Sequence, residues 1–281
     1  MHEWNTALGL IETKLTEPID VAELARVAMT SEYHFRRMFV TLTGMPISEY
    51  IRNRRLTKAT ADLLDGASVL DTAIAYGYGS ADAFSRAFKA FHGITPSQAR
   101  ATGTTLRSQS QLTIRISIDG STNVDYRIEH KEAFNLVGYN TAVPIIARGE
   151  NTAILEFEQN LDQQALQALH ALSNIEPLGA LNATEYLADE DAQAIYWHAV
   201  ATTLTPDEPF HSKPITAGQW VVFTAEGKVP EAFQQLWATA AAEWFPANPY
   251  EWAPGPQLLK TQLNAQGTHG QAELWIPVVR K

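Results

Sequence analysis

The chain has 281 residues, 45% of them apolar, enough to bury a full core, and its length favours two domains over one. Its formal net charge of −10 would argue against a nucleic-acid partner if it were spread evenly, but residues 1–107 sum to +1 and residues 108–281 to −11, so the acidity belongs to the second half. No cysteine is present, which excludes disulfides and thiolate chemistry and is compatible with a reducing cytosol.

The first segment spaces Trp4, Leu8, Ile11 and Leu15 on one helical face. It contains acids and lacks the basic flank and long apolar run of a signal peptide, and no stretch reaches the apolar length of a membrane-spanning helix. A cytoplasmic protein without a membrane partner is expected. Pro18 and Asp20 break this helix, and a short one follows over 21–28 with Leu24 and Ala25 inward. From about Ser31 the residues Phe35, Met38, Phe39 and Leu42 pack, whereas Tyr33, His34, Arg36 and Arg37 have little apolar reason to be inside. A longer helix over 46–64 spaces Ile47, Tyr50, Ile51, Leu56, Ala59 and Leu63 to touch what lies on either side.

A short buried helix over 70–76 is followed by Gly77 and Gly79, which permit a sharp turn, and by Ser80, placed to cap the next helix. That helix lines up Ala83, Phe84, Ala87, Phe88 and Phe91, with Ser85, Arg86 and Lys89 off the stripe, and Gly93 and Pro96 end it. Helix, glycine turn and second helix with outward basic residues is a helix-turn-helix arrangement, and the chain carries it twice. In the first unit Arg36 and Arg37 are the best base-edge or phosphate candidates, because a guanidinium binds guanine O6 and N7 bidentately, and Tyr33 and His34 add contacts. In the second unit the positions that would approach bases are Ala81, Asp82 and Ser85, with Arg86 the nearest cation and Lys89 also off the stripe. This is a chemically poorer set, so the unit is expected to read little sequence and mainly to hold the phosphate backbone.

The stretch 77–100, GYGSADAFSRAFKAFHGITPSQAR, resembles the signature of AraC/XylS-type transcriptional regulators at Gly77, Tyr78, Ser80, Phe84, Ser85, Arg86, Ala87, Phe88, Lys89, Gly93, Thr95, Pro96, Ser97 and Arg100. The first unit is similar to the same family's layout at Ser31, Arg37, Phe39, Gly44, Tyr50, Arg55 and Ala59, with Phe35 in place of a leucine. The resemblance implies an all-α domain with two helix-turn-helix units, whose reading helices enter adjacent major-groove segments of double-stranded DNA about 34 Å apart. It also implies RNA polymerase as a partner.

After Arg100 the small, polar run 101–111 reads as linker, and LTIRISI, 112–118, is an ambiguous strand. The expected division is a DNA-binding domain over 1–107, a linker over 108–122 and a second domain over 123–281. In the latter, 123–143 alternates like a strand and 154–172 is helical. Strands fit 177–182, 195–203 and 220–225, Pro230 opens a second helix to about 244, and strands over 257–263 and 272–279 close the chain. Strand, helix, two strands, repeated, makes a duplicated α+β module. Its stretches VDYRIEHKEAFNLVGY (124–139), PITAGQWVVFTAEG (214–227) and AELWIPV (272–278) resemble the GyrI-like effector-binding domain.

Strand alternation puts Glu273 and Trp275 on one face of the last strand and Leu274 and Ile276 on the other. The resemblance implies that Glu273 is a pocket acid meeting cationic or polar aromatic ligands. Tyr196, Trp197, Trp220 and Trp252 are candidates for stacking or cation–π walls, with plain core packing as their alternative. There is no glycine-rich phosphate loop, no His-Glu-x-x-His and no nucleophile elbow, so no cofactor, metal or enzyme is expected. The second resemblance keeps two alternatives open for this domain, a small-molecule hydrolase and a gyrase- or protein-interaction module. The expectation is a ligand-responsive transcriptional activator.

Overall fold

The structure, a computed structural model, describes residues 2–101, 103–115, 124–146, 151–186, 193–206 and 208–281. The chain divides into two compact units, residues 1–35 with 46–119 and residues 36–45 with 120–281. Seven helices lead: α1 (His2–Thr13), α2 (Val21–Val27), α3 (Glu32–Thr43), α4 (Ile47–Leu64), α5 (Val69–Ala75), α6 (Ala81–His92) and α7 (Pro96–Ala99). Each of four starts is fixed by a side chain that accepts an otherwise unpaired N–H: Asp20 from Ala22, Ser68 from Asp71, Ser80 from Ala83 and Thr95 from Gln98. The α5–α6 turn and the end of α6 use Gly77 and Gly93 at φ of 79° and 82°, where a β-carbon would be strained.

Helix α4 is the spine of this unit. Its Leu56, Ala59 and Leu63 pack with Ala73, Tyr76, Phe84, Phe88 and Ala99, so the α5–α6 hairpin is held through the apolar stripe of α6. On another side Arg54 is buried against Glu12, donating Nη2 at 2.6 Å and Nε at 2.8 Å, and it also donates to the Gln109 carbonyl. The segment just beyond residue 107 is tied to the same helices. Gln109 N–H donates to Thr57 Oγ1 at 2.9 Å and Leu112 N–H to the Tyr50 hydroxyl at 3.1 Å, while Ile114 exchanges two hydrogen bonds with Asn5. Polar side chains satisfy this extended backbone. Residues 112–115 form no strand, and 116–118 of the same apolar run lie outside the described residues.

The second unit contains β1 (Tyr126–Lys131), β2 (Phe134–Pro144), α8 (Thr152–Gln159), α9 (Gln163–His170), β3 (Leu181–Tyr186), β4 (Gln193–Thr202), β5 (His211–Ile215) and β6 (Gly218–Lys228). It ends with α10 (Glu231–Thr239), a π turn (Ala240–Trp244), α11 (Phe245–Ala247), β7 (Tyr250–Trp252), β8 (Gln257–Leu263) and β9 (His269–Arg280). The strands form one antiparallel sheet in the order β1-β6-β9-β8-β3-β4-β2-β5, with β7 beside β9. Exchanging β1–β4 with β5, β6, β8 and β9 reverses this order onto itself, so the duplication is a pseudo-twofold whose axis runs between β3 and β8. Each module lends its first strand to the other, β1 to β6 and β5 to β2.

The duplicated α+β expectation is met, with four local differences. The single strand expected over 123–143 is two, β1 and β2. The expected helix over 154–172 is broken at Asn160–Leu161, and Asp162 caps a new one by accepting from Ala165 N–H at 2.8 Å. The strand expected over 177–182 lies further on, as β3, and β5 and β7 were not expected. The missed strands are short, and Pro214 gives β5 no strand signal. The helices cover one face of the sheet, α9 through Leu169 on Val137 and Val200, and α10 on β6.

Candidate effector site and DNA-reading helices

Directly opposed residues share a face of a sheet. The pairings carry one row across six strands on the face away from the helices: Arg127 opposite Val222, Val222 opposite Trp275, Trp275 opposite Leu258, Leu258 opposite Ala183, and Ala183 opposite Trp197. Trp197, Trp220, Val222, Leu258 and Trp275 belong to one buried apolar cluster with Phe134, Leu136 and Leu181. Beyond that row β2 and β4 approach closely at Gly138, where a β-carbon would come within 2.1 Å of the His198 carbonyl oxygen.

Charge collects at the β1–β9 end of this inner face. Arg127 donates to Glu273 at 2.9 Å and to Glu129 at 2.9 Å, and these acceptors outweigh burial to hold its guanidinium above the ordinary value. Trp275 Nε1 donates to Glu273 at 3.3 Å. The Arg127 guanidinium carbon lies 5.1 Å from the Trp275 ring centroid and Lys131 Nζ lies 5.6 Å from it. Trp275 is 2% exposed, whereas the Glu273 side chain is 29% exposed. Lys260 stands opposite Glu273 in register, and nearer the other end Lys213 and Glu185 pair at 2.8 Å. The buried Trp197 Nε1–H has no hydrogen-bond acceptor among the described residues, a donor available on the same face.

Of the sequence-chosen effector residues, Glu273, Trp275, Trp197 and Trp220 come together on the inner face. Tyr196 and Trp252 lie on the helix-covered face. Trp252 stacks on Phe245 at 4.5 Å. Tyr196 donates its hydroxyl to Glu158 of α8 at 2.7 Å, and His198 Nδ1 is 2.9 Å from the same carboxylate. His198 Nε2 meets His170 Nε2 at 3.2 Å, and Asn182 donates to both Glu158 and Tyr196. Burial alone would raise the Glu158 carboxyl, but the hydrogen bonds from His198 and Tyr196 outweigh it and hold it below its usual range. Burial and the neighbouring carboxylate push the Tyr196 hydroxyl far up, and burial, then the His198 charge, lowers His170.

Sequence reading missed Arg127, Lys131 and Lys260. The run Arg127, Glu129, Lys131 at alternate positions looks like a solvated strand face, and only the pairing of β1 with β6 turns it inward.

In α6, Phe84, Phe88 and His92 are buried while Asp82, Arg86 and Lys89 are exposed and Ala81 and Ser85 half-buried. His92 faces α4, within 3.3 Å of Thr60 Oγ1. In α3, Phe35, Met38 and Phe39 are buried as expected. Tyr33 and Arg36 are half-buried, and His34 and Arg37 are 3% and 4% exposed, more enclosed than their polarity suggests.

Two helix-turn-helix hairpins, the second packed on α4, and a duplicated sheet with an aromatic, charged inner face define a helix-turn-helix regulator with an effector-binding domain. Residues 24–102 match the family model of a helix-turn-helix domain, and residues 127–278 match that of the integron-associated effector binding protein. The HTH-type transcriptional activator AarP of Providencia stuartii is 36% identical over 95 residues, spanning 34% of this chain and 70% of that protein. The probable transcription factor PqrA of Proteus vulgaris is 36% identical over 103 residues, spanning 36% of this chain and 84% of that protein. A solved structure of SAV2435 bound to tetraphenylphosphonium is 21% identical and covers 55% of this chain and 94% of its own, with a TM-score of 0.46. The chain belongs to the integron-associated, GyrI-like effector-binding family through its sheet unit and to the AraC-type helix-turn-helix regulators through its helical unit. It is a DNA-binding transcriptional regulator. Among the described residues no helix is long and apolar enough to cross a membrane.

Proposed function

We propose that this regulator activates transcription in the cytoplasm, in contact with RNA polymerase, when a flat aromatic small molecule binds the inner face of its sheet, and that it does so without turnover of that molecule. The observation that carries the reading is the meeting of Glu273 with Trp275, Trp197 and Trp220 on one continuous buried face, in a chain that also has two helix-turn-helix hairpins. Glu273 sets the polar end and the indoles supply area. In the reader, Tyr33 and Arg36 of α3 contact bases, whereas the buried His34 and Arg37, which the sequence also offered, are enclosed in this arrangement. In α6, Ala81, Asp82 and Ser85 approach bases and the exposed Arg86 and Lys89 hold the phosphate backbone. The proposed division is 1–107 for the reader and 123–281 for the sensor, with Gln109, Leu112 and Ile114 of the intervening segment tied back onto α1 and α4.

The test is recovery of genomic fragments by the purified chain with and without the aromatic cation 10-methylacridinium. Preferential recovery of a few promoter fragments, changed by the cation, is expected, and recovery no different from random DNA would overturn the reading. Arg36→Ala should then cost about 1–3 kcal/mol at one base position. Arg86→Ala should weaken all sequences alike and flatten the salt dependence by about one unit of slope.

A further inference from the structure

A carboxylate beside the face of a tryptophan is the minimal box for an organic cation, because charge and ring quadrupole attract the same guest. In this chain that box already holds a cation. Arg127 reaches from β1 past Val222, its neighbour in the row, to donate to Glu273 at 2.9 Å, with its guanidinium carbon 5.1 Å from the Trp275 ring centroid. Resting on the reading of the inner face as the effector site, we propose that Arg127 is a tethered occupant of that site, which a cationic effector must displace, and so sets the threshold and selectivity of the sensor.

Three features fit a displaceable occupant better than a structural strut. The Arg127 side chain is 40% exposed, so leaving Glu273 returns its guanidinium to water at little cost. Glu129, 2.9 Å from Nε, is a second acceptor on Arg127's own strand that keeps the displaced guanidinium paired. The Trp275 indole N–H also donates to Glu273, so the carboxylate keeps one partner while the guest replaces the other. The selectivity follows from the competition. A neutral aromatic gains nothing from Glu273 and does not remove Arg127, whereas a cation that is poorly hydrated and flat can match both the charge and the stacking of the guanidinium. The apparent affinity for such a cation is its intrinsic affinity multiplied by the fraction of time the box is free.

The test compares binding of 10-methylacridinium and of neutral acridine, at a pH where acridine is uncharged, to the full chain and four variants, followed by tryptophan fluorescence. Arg127→Met is expected to tighten 10-methylacridinium roughly tenfold or more, the factor for a box occupied about nine-tenths of the time, and to leave acridine unchanged. Lys131→Met removes an equal charge from the same ring but lies outside the ion pair, so it should give a clearly smaller gain. Glu273→Gln should bind the cation more weakly, and in Arg127→Met/Glu273→Gln the gain should vanish. Arg127→Gln serves in place of Arg127→Met if the latter loses its near-ultraviolet circular dichroism. Equal gains from Arg127→Met and Lys131→Met would mean a general field effect and overturn the proposal. So would no gain from Arg127→Met while Glu273→Gln still weakens the cation, although the effector reading would then stand. Absence of 10-methylacridinium binding to every variant would sink both.

Discussion

Glu158 and Glu273 are two carboxylates on opposite faces of one sheet, each beside an aromatic side chain and a basic one, and they are held in different ways. Glu158, on α8, receives the Tyr196 hydroxyl at 2.7 Å and lies 2.9 Å from the His198 ring. Glu273, on the helix-free face, receives Arg127 and the Trp275 indole and remains 29% exposed. The two carboxylates are equally exposed, at 29%, but the first is held by Tyr196 and His198, which are 6% and 13% exposed, and the second by Arg127, whose side chain is 40% exposed. A carboxylate of the first kind supports the fold, and one of the second kind can exchange partners with a guest.

The largest expected effect is Trp275→Ala, which empties a site at the centre of the inner cluster and should cost about 3–5 kcal/mol of stability. Urea unfolding followed by tryptophan fluorescence measures it in the sheet unit, which holds six of the seven tryptophans. On the opposite face Tyr196→Phe leaves Glu158 short of one donor and should cost about 1–3 kcal/mol in the same measurement. A cost for Tyr196→Phe as large as for Trp275→Ala would show that the outer network, rather than the inner cluster, bears the sheet.

Glu273→Gln should shift the urea midpoint little, since an ion pair this exposed is worth about 0–1 kcal/mol, while weakening 10-methylacridinium by about 1–3 kcal/mol. Glu158→Gln should leave the binding of that cation unchanged. If Glu158→Gln weakened the cation instead, the two faces would have been assigned the wrong way round.

The smallest effect is in pH. Burial lowers His170, so the unfolded chain takes up that proton first, and the stability tied to the neutral ring is full above about pH 6.5 and declines as pH falls below it. Glu158 is also lowered, so its contribution is present above about pH 4.3 and is lost as pH falls through its folded value. The urea midpoint should therefore drop between pH 7.5 and 5.5 on account of histidine and again in stronger acid. His92 of α6, lowered by burial, acts in the same sense in the other unit. Comparison with His170→Asn isolates the sheet contribution, and an unchanged slope in that variant would remove His170 from the account.

Helix boundaries were readable wherever a cap or a glycine marks them. Ser80 and Gly93 bracket α6 as their chemistry requires, because a hydroxyl satisfies the first N–H groups and only glycine takes φ of 82° without strain. The segment beyond residue 107 was harder. Its partners Asn5, Tyr50, Thr57 and Arg54 are isolated polar residues 52 to 109 positions away, and nothing in the run itself announces them. The enclosure of His34 and Arg37 was equally invisible to helical periodicity, which reports one buried stripe and not what surrounds the rest of a helix.

Local chemistry was enough for the two helix-turn-helix hairpins, the duplication of the second half, and the face shared by Glu273 and Trp275, since each follows from spacing within one element. Partner strands are chosen by long-range packing, and no single strand encodes them. The exchange of β1 and β5 between modules left no local trace, yet it brings Arg127 to Glu273 across 146 residues of chain. Alternation within a strand says which side chains travel together, and the order of strands in the sheet says what they meet.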